Sequence, residues 1–452
     1  MKKFDKEKYL KKLKFKRAWR RYERYFYIGI PCLMIALLVA SVIFNKNTIF
    51  EDNKVYLDNA IGAYIDGEYS KTIPSKSDGY VVKNIVCDND AVGEWDNDKW
   101  GLLTTNMTQK SKCNIYFETK KTSVIETVTT AMSTDSSMFA TDDPENNIRY
   151  IGANPNNYVY FNCSDYNNQS DSTCEKWRII GVFNNVTKSD GTKENLVKII
   201  RDESIGNYSW DNKDTSTGAE TADGKNDWVT ARLNYLLNPG HDSESIGGSL
   251  YYNAKSGTCY FGENNATTSC DFTSTGLKND TTRNAIESVV WNLGGVSSSS
   301  SPVSTFYTGE RGTTVYSGRP TTWTGKIGLM YPSDYGYAVA GARAACLSTN
   351  LNKWRVGGLL INDCPRSDYL YKSNYVQWTL APYSGDADGV FSVNSSTADS
   401  GGDVEILNAN ATHNSIGFLP TILGVRPALY LKSSISVVDG NGTSTSPYKL
   451  EM

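Results

Sequence analysis

The sequence predicts an α+β protein with a single N-terminal transmembrane helix, and three observations predict it. A 20-residue run without a charged side chain follows a basic amino terminus. Eight cysteines beyond that run fall into sequence-local couples. The rest of the chain consists of short β-branched and aromatic runs separated by Asn/Asp/Ser/Gly turns, with two segments of helical period. At 452 residues the chain holds about three domains' worth of sequence. Its 39 % hydrophobic and 12 % aromatic content can build a core, which excludes a wholly disordered chain and a multi-span membrane protein. With 46 Lys+Arg against 49 Asp+Glu, the near-neutral balance argues against a nucleic-acid partner.

Charge is distributed unevenly. Residues 1–24 carry 12 Lys/Arg against Asp5, Glu7 and Glu23, a local +9 in a chain whose net charge is -3. Residues 25–44 (YFYIGIPCLMIALLVASVIF) then match the length of a helix that crosses the hydrocarbon core. Basic residues on the near side place the amino terminus in the cytoplasm and the bulk of the chain outside. A cleavable signal peptide fits less well, because the charged region and the apolar run are both long. Residues 45–57 read as a stalk.

Cys32 lies inside the proposed span. The other eight pair by proximity as Cys87 with Cys113, Cys163 with Cys174, Cys259 with Cys270, and Cys346 with Cys364. Clustering suggests this connectivity, although eight cysteines permit 105 pairings. CxxC-like zinc knuckles are missing, and disulfides persist where the surroundings are oxidising, so the cysteines and the charge asymmetry point to the same compartment. No metal site and no cofactor are expected.

Residues 58–118 read as a small all-β module, with strands at 79–87 and 113–117 flanking GEWDNDKWG (93–101). The Thr/Ser-rich, then acidic stretch 119–145 reads as a linker with at most a short helix. Residues 146–452 read as one large α+β domain. It has strands at 158–161, 177–183 and 196–200, and a terminal strand at 424–432. Its two helices are expected over 228–238 and 280–293, the second with Ala285, Ile286, Val289, Val290 and Leu293 at helical spacing.

The segments IRYIGANPNNYVYFN (148–162), WRIIGVF (177–183), IIRDESIGNYSWD (199–211), TWTGKIGLMYPSDYGYA (322–338), QWTLAPYS (377–384) and GVRPALYLKSSI (424–435) carry a resemblance. Together they resemble an uncharacterised family of membrane-anchored surface proteins of gut Firmicutes and their relatives. More distantly, the large domain is similar to the C-type-lectin-like fold shared with sulfatase-modifying factors and hypervariable bacterial and phage receptors. That resemblance implies a large C-type-lectin-like domain, while a fold by itself licenses no activity. The Glu-Pro-Asn and Gln-Pro-Asp triplets of calcium-dependent sugar binding are missing, and Trp210-Asp211-Asn212 departs from the Trp-Asn-Asp order. Formylglycine-generating enzymes use a free cysteine pair, whereas all eight external cysteines here can be consumed in disulfides.

The segment 369–410 offers the strongest composition for recognition. Tyr369, Tyr371, Tyr375, Trp378 and Tyr383 stand among Ser, Gly and Asn, with Asp386, Asp388 and Asn394 nearby, a mixture that pairs rigid aromatic area with adaptable hydrogen bonding. Equally, a polar loop of this composition can pack its aromatics inward. The acidic turns at 88–90, 96–98 and 223–227 read as turn formers rather than Ca²⁺ loops. His413 has no second histidine near it in sequence, since His241 is the only other one. The expectation is a non-catalytic surface protein that binds an extracellular glycan or protein. A structural envelope protein that assembles laterally is the alternative. An extracellular hydrolase has less support, for lack of a Gly-x-Ser-x-Gly elbow or HExxH.

Overall fold

The computed structural model describes residues 7, 10–20, 22, 60–108, 110–212, 223–245, 247–260, 267–355, 364–395, 401–411 and 423–452. Residues 10–20 form helix α1. Among the described residues no helix is long and apolar enough to cross a membrane. The expected anchor at 25–44, with Cys32, lies outside the described residues, as do the stalk at 45–57 and His413.

Two compact units divide at Lys120/Lys121. The first contains β1 (Ile61–Ile65), β2 (Glu68–Ser70), β3 (Tyr80–Cys87), β4 (Val92–Asp96), β5 (Gly101–Thr105) and β6 (Cys113–Thr119). Its sheet runs β2-β1-β6-β3, with β1 and β6 parallel. The GEWDNDKWG segment becomes the β4–β5 hairpin, whose Trp95 and Trp100 meet edge to face at 5.3 Å and pack with Phe117 over this small core. Cys87 and Cys113 sit opposite one another in the β3–β6 register and are bonded.

The second unit begins earlier than residue 146. The expected linker carries β7 (Thr122–Ser123) and α2 (Val124–Thr134). The signal was present as Ser123-x-x-Glu126, an N-terminal capping pattern: Ser123 Oγ accepts the Glu126 N–H, and Val124 and Val128 are buried. Strand β7 pairs with β23 (Ser436–Asp439), which pairs with β24 (Lys449–Glu451), so the two ends of this unit meet in one sheet.

At its centre lies an antiparallel sheet in the order β17-β22-β12-β11-β9-β8. These strands are β8 (Phe139–Ala140), β9 (Ile148–Tyr150), β11 (Glu175–Thr187), β12 (Lys193–Arg201), β17 (Ile327–Gly328) and β22 (Ala428–Leu431), and β10 (Tyr158–Phe161) pairs with the start of β11. Two further antiparallel pairs form, the hairpin β13 (Ser256–Tyr260) with β14 (Thr267–Asp271), and β15 (Val289–Asn292) with β16 (Thr322–Gly325), which are joined through the helix Val303–Glu310. A four-stranded sheet, β20-β19-β18-β21, is built from β18 (Val376–Pro382), β19 (Gly389–Val393), β20 (Val404–Asn408) and β21 (Leu423–Gly424). Helices α3 (Arg232–Leu237), α4 (Asp280–Ala285), α5 (Val303–Glu310), α6 (Pro332–Tyr337) and α7 (Arg343–Ser348) are all short.

Both helix expectations need correction. The first helix covers only the last part of 228–238. The second ends at Ala285, and Val289–Asn292 continues as a strand paired with β16. The β-branched Val289-Val290 pair followed by Trp291 suits a pleated surface, and pairing with Thr322–Gly325 overrides the helical period. The remaining disulfides, Cys163–Cys174, Cys259–Cys270 and Cys346–Cys364, form as the spacing suggested.

One row of facing residues crosses the central sheet. Tyr430 on β22 faces Lys198 on β12, Lys198 faces Gly181 on β11, and Gly181 faces Arg149 on β9. A Cβ at Gly181 would approach the Ile148 carbonyl oxygen to 2.1 Å, so glycine is required for β9 to pair this closely. Gly181→Ala is expected to destabilise the protein by roughly 1–3 kcal/mol through this clash, read as a lowered midpoint in chemical denaturation with the disulfides intact. An unchanged midpoint would contradict the assigned register.

Candidate functional site

Lys198 and Arg149 rise from that row and converge on one carboxylate. Lys198 Nζ lies 2.5 Å from Asp334 Oδ2, and Arg149 Nη1 lies 2.9 Å from Asp334 Oδ1. The other edge of Arg149 donates from Nε to Asp143 Oδ2 at 2.6 Å. All four side chains are essentially inaccessible to water. Aromatic rings enclose the cations. Lys198 Nζ is 4.4 Å from the Tyr331 ring centroid and 5.1 Å from that of Trp291, with Phe183 and Tyr430 also in range. The Arg149 guanidinium lies 4.6 Å from the Phe183 ring.

Helix α6 begins at this cluster because Tyr331-Pro332-Ser333-Asp334 is a good start sequence. Pro332 occupies the first turn, and Asp334 Oδ2 accepts the Tyr331 N–H at 3.0 Å. Next to it stands a second buried acid. Glu310, the last residue of α5, accepts from Ser333 N at 2.9 Å and from Ser333 Oγ, and its Oε2 lies 3.2 Å from Arg311 Nη1. Burial favours protonation of both acids, yet they titrate oppositely. For Asp334, Lys198 and Arg149 overcome the burial and hold the carboxyl well below the usual carboxylate range. For Glu310, burial prevails over Arg311 and the Ser333 hydrogen bonds, and the carboxyl is pushed up to about 7.

Above the cluster opens a cleft of about 230 Å³. Phe183, Trp291, Tyr331 and Tyr430 form its aromatic side, and Asn184, Asn185, Thr187, Lys193, Asn292, Arg311 and Glu145 supply polar groups. Tyr331 is committed, since its hydroxyl donates to the Asn292 carbonyl at 3.0 Å and accepts the Asn292 N–H at 3.0 Å. Asn184 donates from Nδ2 to the Glu145 and Asn146 carbonyls. By contrast, the side chains of Asn185, Thr187, Lys193 and Asn292 make no hydrogen bond among the described residues, and Asn185 and Lys193 are exposed. A wider, shallow trough between residues 295–297 and α5 is lined by small and hydroxyl side chains such as Ser297, Ser304 and Thr308 without a titratable group.

The aromatic recognition surface expected over 369–410 is not exposed. Tyr369, Tyr375 and Trp378 are buried. Trp378 Nε1 donates to the Tyr208 carbonyl at 2.9 Å, and the Tyr369 ring lies 4.8 Å from the Arg178 guanidinium. Tyr371 and Tyr383 are half-buried and pack on the main core, Tyr383 edge-on to Phe391. Asp386 closes the β18–β19 turn by accepting the Gly389 N–H at 2.6 Å, Asp388 is half-buried in the same turn, and the Asn394 backbone pairs with Asp403 and Gly402. Strand β18 is buried along its whole length, and Trp378, which lies on it, is buried with it. Among the described residues no three His, Cys, Asp or Glu side chains gather as a metal site. The acidic turns spend their oxygens on backbone N–H groups, as Asp96 does with Asp98 and Lys99.

Comparison with protein-family models, curated proteins and solved structures finds no match for this chain.

The raised acids fix a pH dependence. Glu310, Asp211 and Asp403 are all raised to about 7, chiefly by burial, with Glu405 adding to the effect at Asp403. A carboxyl raised in the folded state stabilises fully below its ordinary value and loses that contribution as pH climbs through the folded value. Asp334 acts oppositely, contributing above the ordinary carboxylate value and failing only in stronger acid. Tm is therefore expected to be higher at about pH 5 than at about pH 8 by a few degrees, with Glu310→Gln flattening the slope. Scanning calorimetry across that range decides it, and a Tm that rises toward pH 8 would refute the assignment.

Proposed function

We propose that this chain is a cell-surface binding protein. It is anchored by a single span with its amino terminus in the cytoplasm, and it presents a non-catalytic, C-type-lectin-like domain to an extracellular glycan or protein. The observation that carries the reading is the cleft beside the Lys198–Asp334–Arg149 cluster. The strongly charged groups beneath it are spent on one another, while amides, a hydroxyl, Lys193 and the Nη2 of Arg311 at its rim are left to meet a ligand. Such a division, a rigid floor with a few convergent polar groups above it, suits binding. The four disulfides favour an oxidising compartment, in keeping with the basic amino terminus and the apolar run.

Two measurements test the two halves. On intact cells, a membrane-impermeant maleimide should leave the eight external cysteines unlabelled until reductant is added, and protease should shave the large unit. Labelling before reduction, or protection from protease, would reject the location. On glycan and protein arrays, full-length chain in detergent micelles should bind a ligand that the Asn185→Ala, Asn292→Ala double variant holds at least about tenfold more weakly. Undiminished binding by that variant would move the site elsewhere.

A further inference from the structure

Resting on the reading of this cleft as a binding site, we infer that its ligand is a carboxylate-bearing sugar, a uronate-type residue whose carboxylate is held by Arg311.

Arg311 is fixed on three sides. Its guanidinium lies 3.5 Å from the Tyr307 ring centroid, its Nη1 pairs with Glu310 Oε2 and donates to the Tyr307 carbonyl at 3.3 Å, and its Nε stands 3.7 Å from Glu145 Oε1. Nη2 has no hydrogen-bond partner among the described residues, and Arg311 lines the cleft. A guanidinium already oriented by a ring and a buried acid loses little further freedom on binding, and its open Nη2 can donate a charge-assisted hydrogen bond to a carboxylate oxygen.

Charge sets the valence of the anion. Glu310 is spent on Ser333 and Arg311, while Glu145 is half exposed and too far from Arg311 for a hydrogen bond, so the pairing between them is weak. Two cations, Arg311 and Lys193, thus face one rim carboxylate, Glu145. With Glu310 behind Arg311 close to half-ionised at neutral pH, the excess is at most a single positive charge. It suits a monoanion, and a phosphate dianion would meet Glu145 without a second uncompensated cation. The remaining lining specifies the body of the ligand. The Asn185 and Asn292 carboxamides and the Thr187 hydroxyl each offer a donor and an acceptor, and vicinal hydroxyls need both together. At about 230 Å³ the cleft takes one sugar ring with a few waters, not a folded peptide segment.

The test uses full-length chain in detergent micelles. Surfaces carry uronate oligosaccharides of gluco, galacto and manno configuration, their methyl esters and the matching neutral oligosaccharides. At least one acid is expected to bind about tenfold or more tighter than its methyl ester, with affinity falling as salt rises. Arg311→Gln and Arg311→Lys should both erase the preference for acid over ester. Exposed Asn185→Ala and Lys193→Ala, which leave the buried cluster untouched, should each weaken binding several-fold. Free monosaccharide uronate as competitor separates two sources of the same chemistry. Displacement assigns the site to a single ring, and binding that only the oligosaccharide competes for assigns it to a chain residue. Equal binding of acid and ester that is still lost in Asn185→Ala would overturn the acid assignment and keep the cleft. Failure of all three acids to bind would overturn it as well. Ligand binding on the broader arrays that ignores every cleft variant would remove the parent reading instead.

Discussion

A single carboxylate, Asp334, organises the large unit. It receives Lys198 from β12 and Arg149 from β9, and so joins helix α6 to the central sheet at a point closed to solvent. Transferring four charges into such a site is costly, and their attraction offsets that cost only if the geometry is good and the remaining donors are satisfied. The surroundings meet most of this demand. Tyr331 N–H adds a third donor to Asp334, Asn147 adds two to Asp143, and ring faces line the cations. Arg149 Nη2 alone is left without a partner. An apolar replacement of similar volume would fill the space but would not dictate where α6 begins, and the start of α6 places both Tyr331 and Ser333.

From that placement the cleft follows. Tyr331 forms its wall and fixes Asn292 through the backbone, while Ser333 holds Glu310, which in turn holds Arg311. A chain of direct contacts therefore runs from the sheet row, through Asp334, to the one guanidinium on the rim. The two neighbouring acids divide the labour by environment. Asp334 has two cations and stays ionised, whereas Glu310 has one cation and a serine and sits near the midpoint of its titration at neutral pH.

Some of this was legible in the sequence and some was not, for physical reasons. Disulfide partners were readable because each couple closes a short loop, and the strands at 177–183 and 196–200 were readable from β-branched density. The cleft left a fainter trace. Lys198 within LVKII and Arg149 within IRYIG are lone cations inside apolar strands, a placement that requires a buried partner. Asp334, in the PSDYGYA segment, is that partner, but 136 residues separate it from Lys198, and pairing over such a distance has no local signature. The aromatic density at 369–383 misled because composition does not state direction. Trp378 has the same amphipathic chemistry whether its indole N–H meets a ligand or, as here, the Tyr208 carbonyl. At 280–293 a helical period coincided with a strand composition, and only the partner strand at 322–325 decides between them.

Covalent and ionic restraint occupy different places in the large unit. Cys163–Cys174 forms a small cluster of its own with Tyr160 and Tyr166, Cys259–Cys270 closes the β13–β14 hairpin, and Cys346–Cys364 ties α7 to the segment before β18. None of these sulfurs lines the cleft. Each disulfide limits a local excursion of the chain and acts largely by restricting the unfolded ensemble. The ion cluster instead restricts the folded state, because it couples elements far apart in sequence at fixed distances. The disulfides staple loops at their bases, while the geometry of Arg311 is set by Glu310, Tyr307 and the contacts that reach them from the ion cluster.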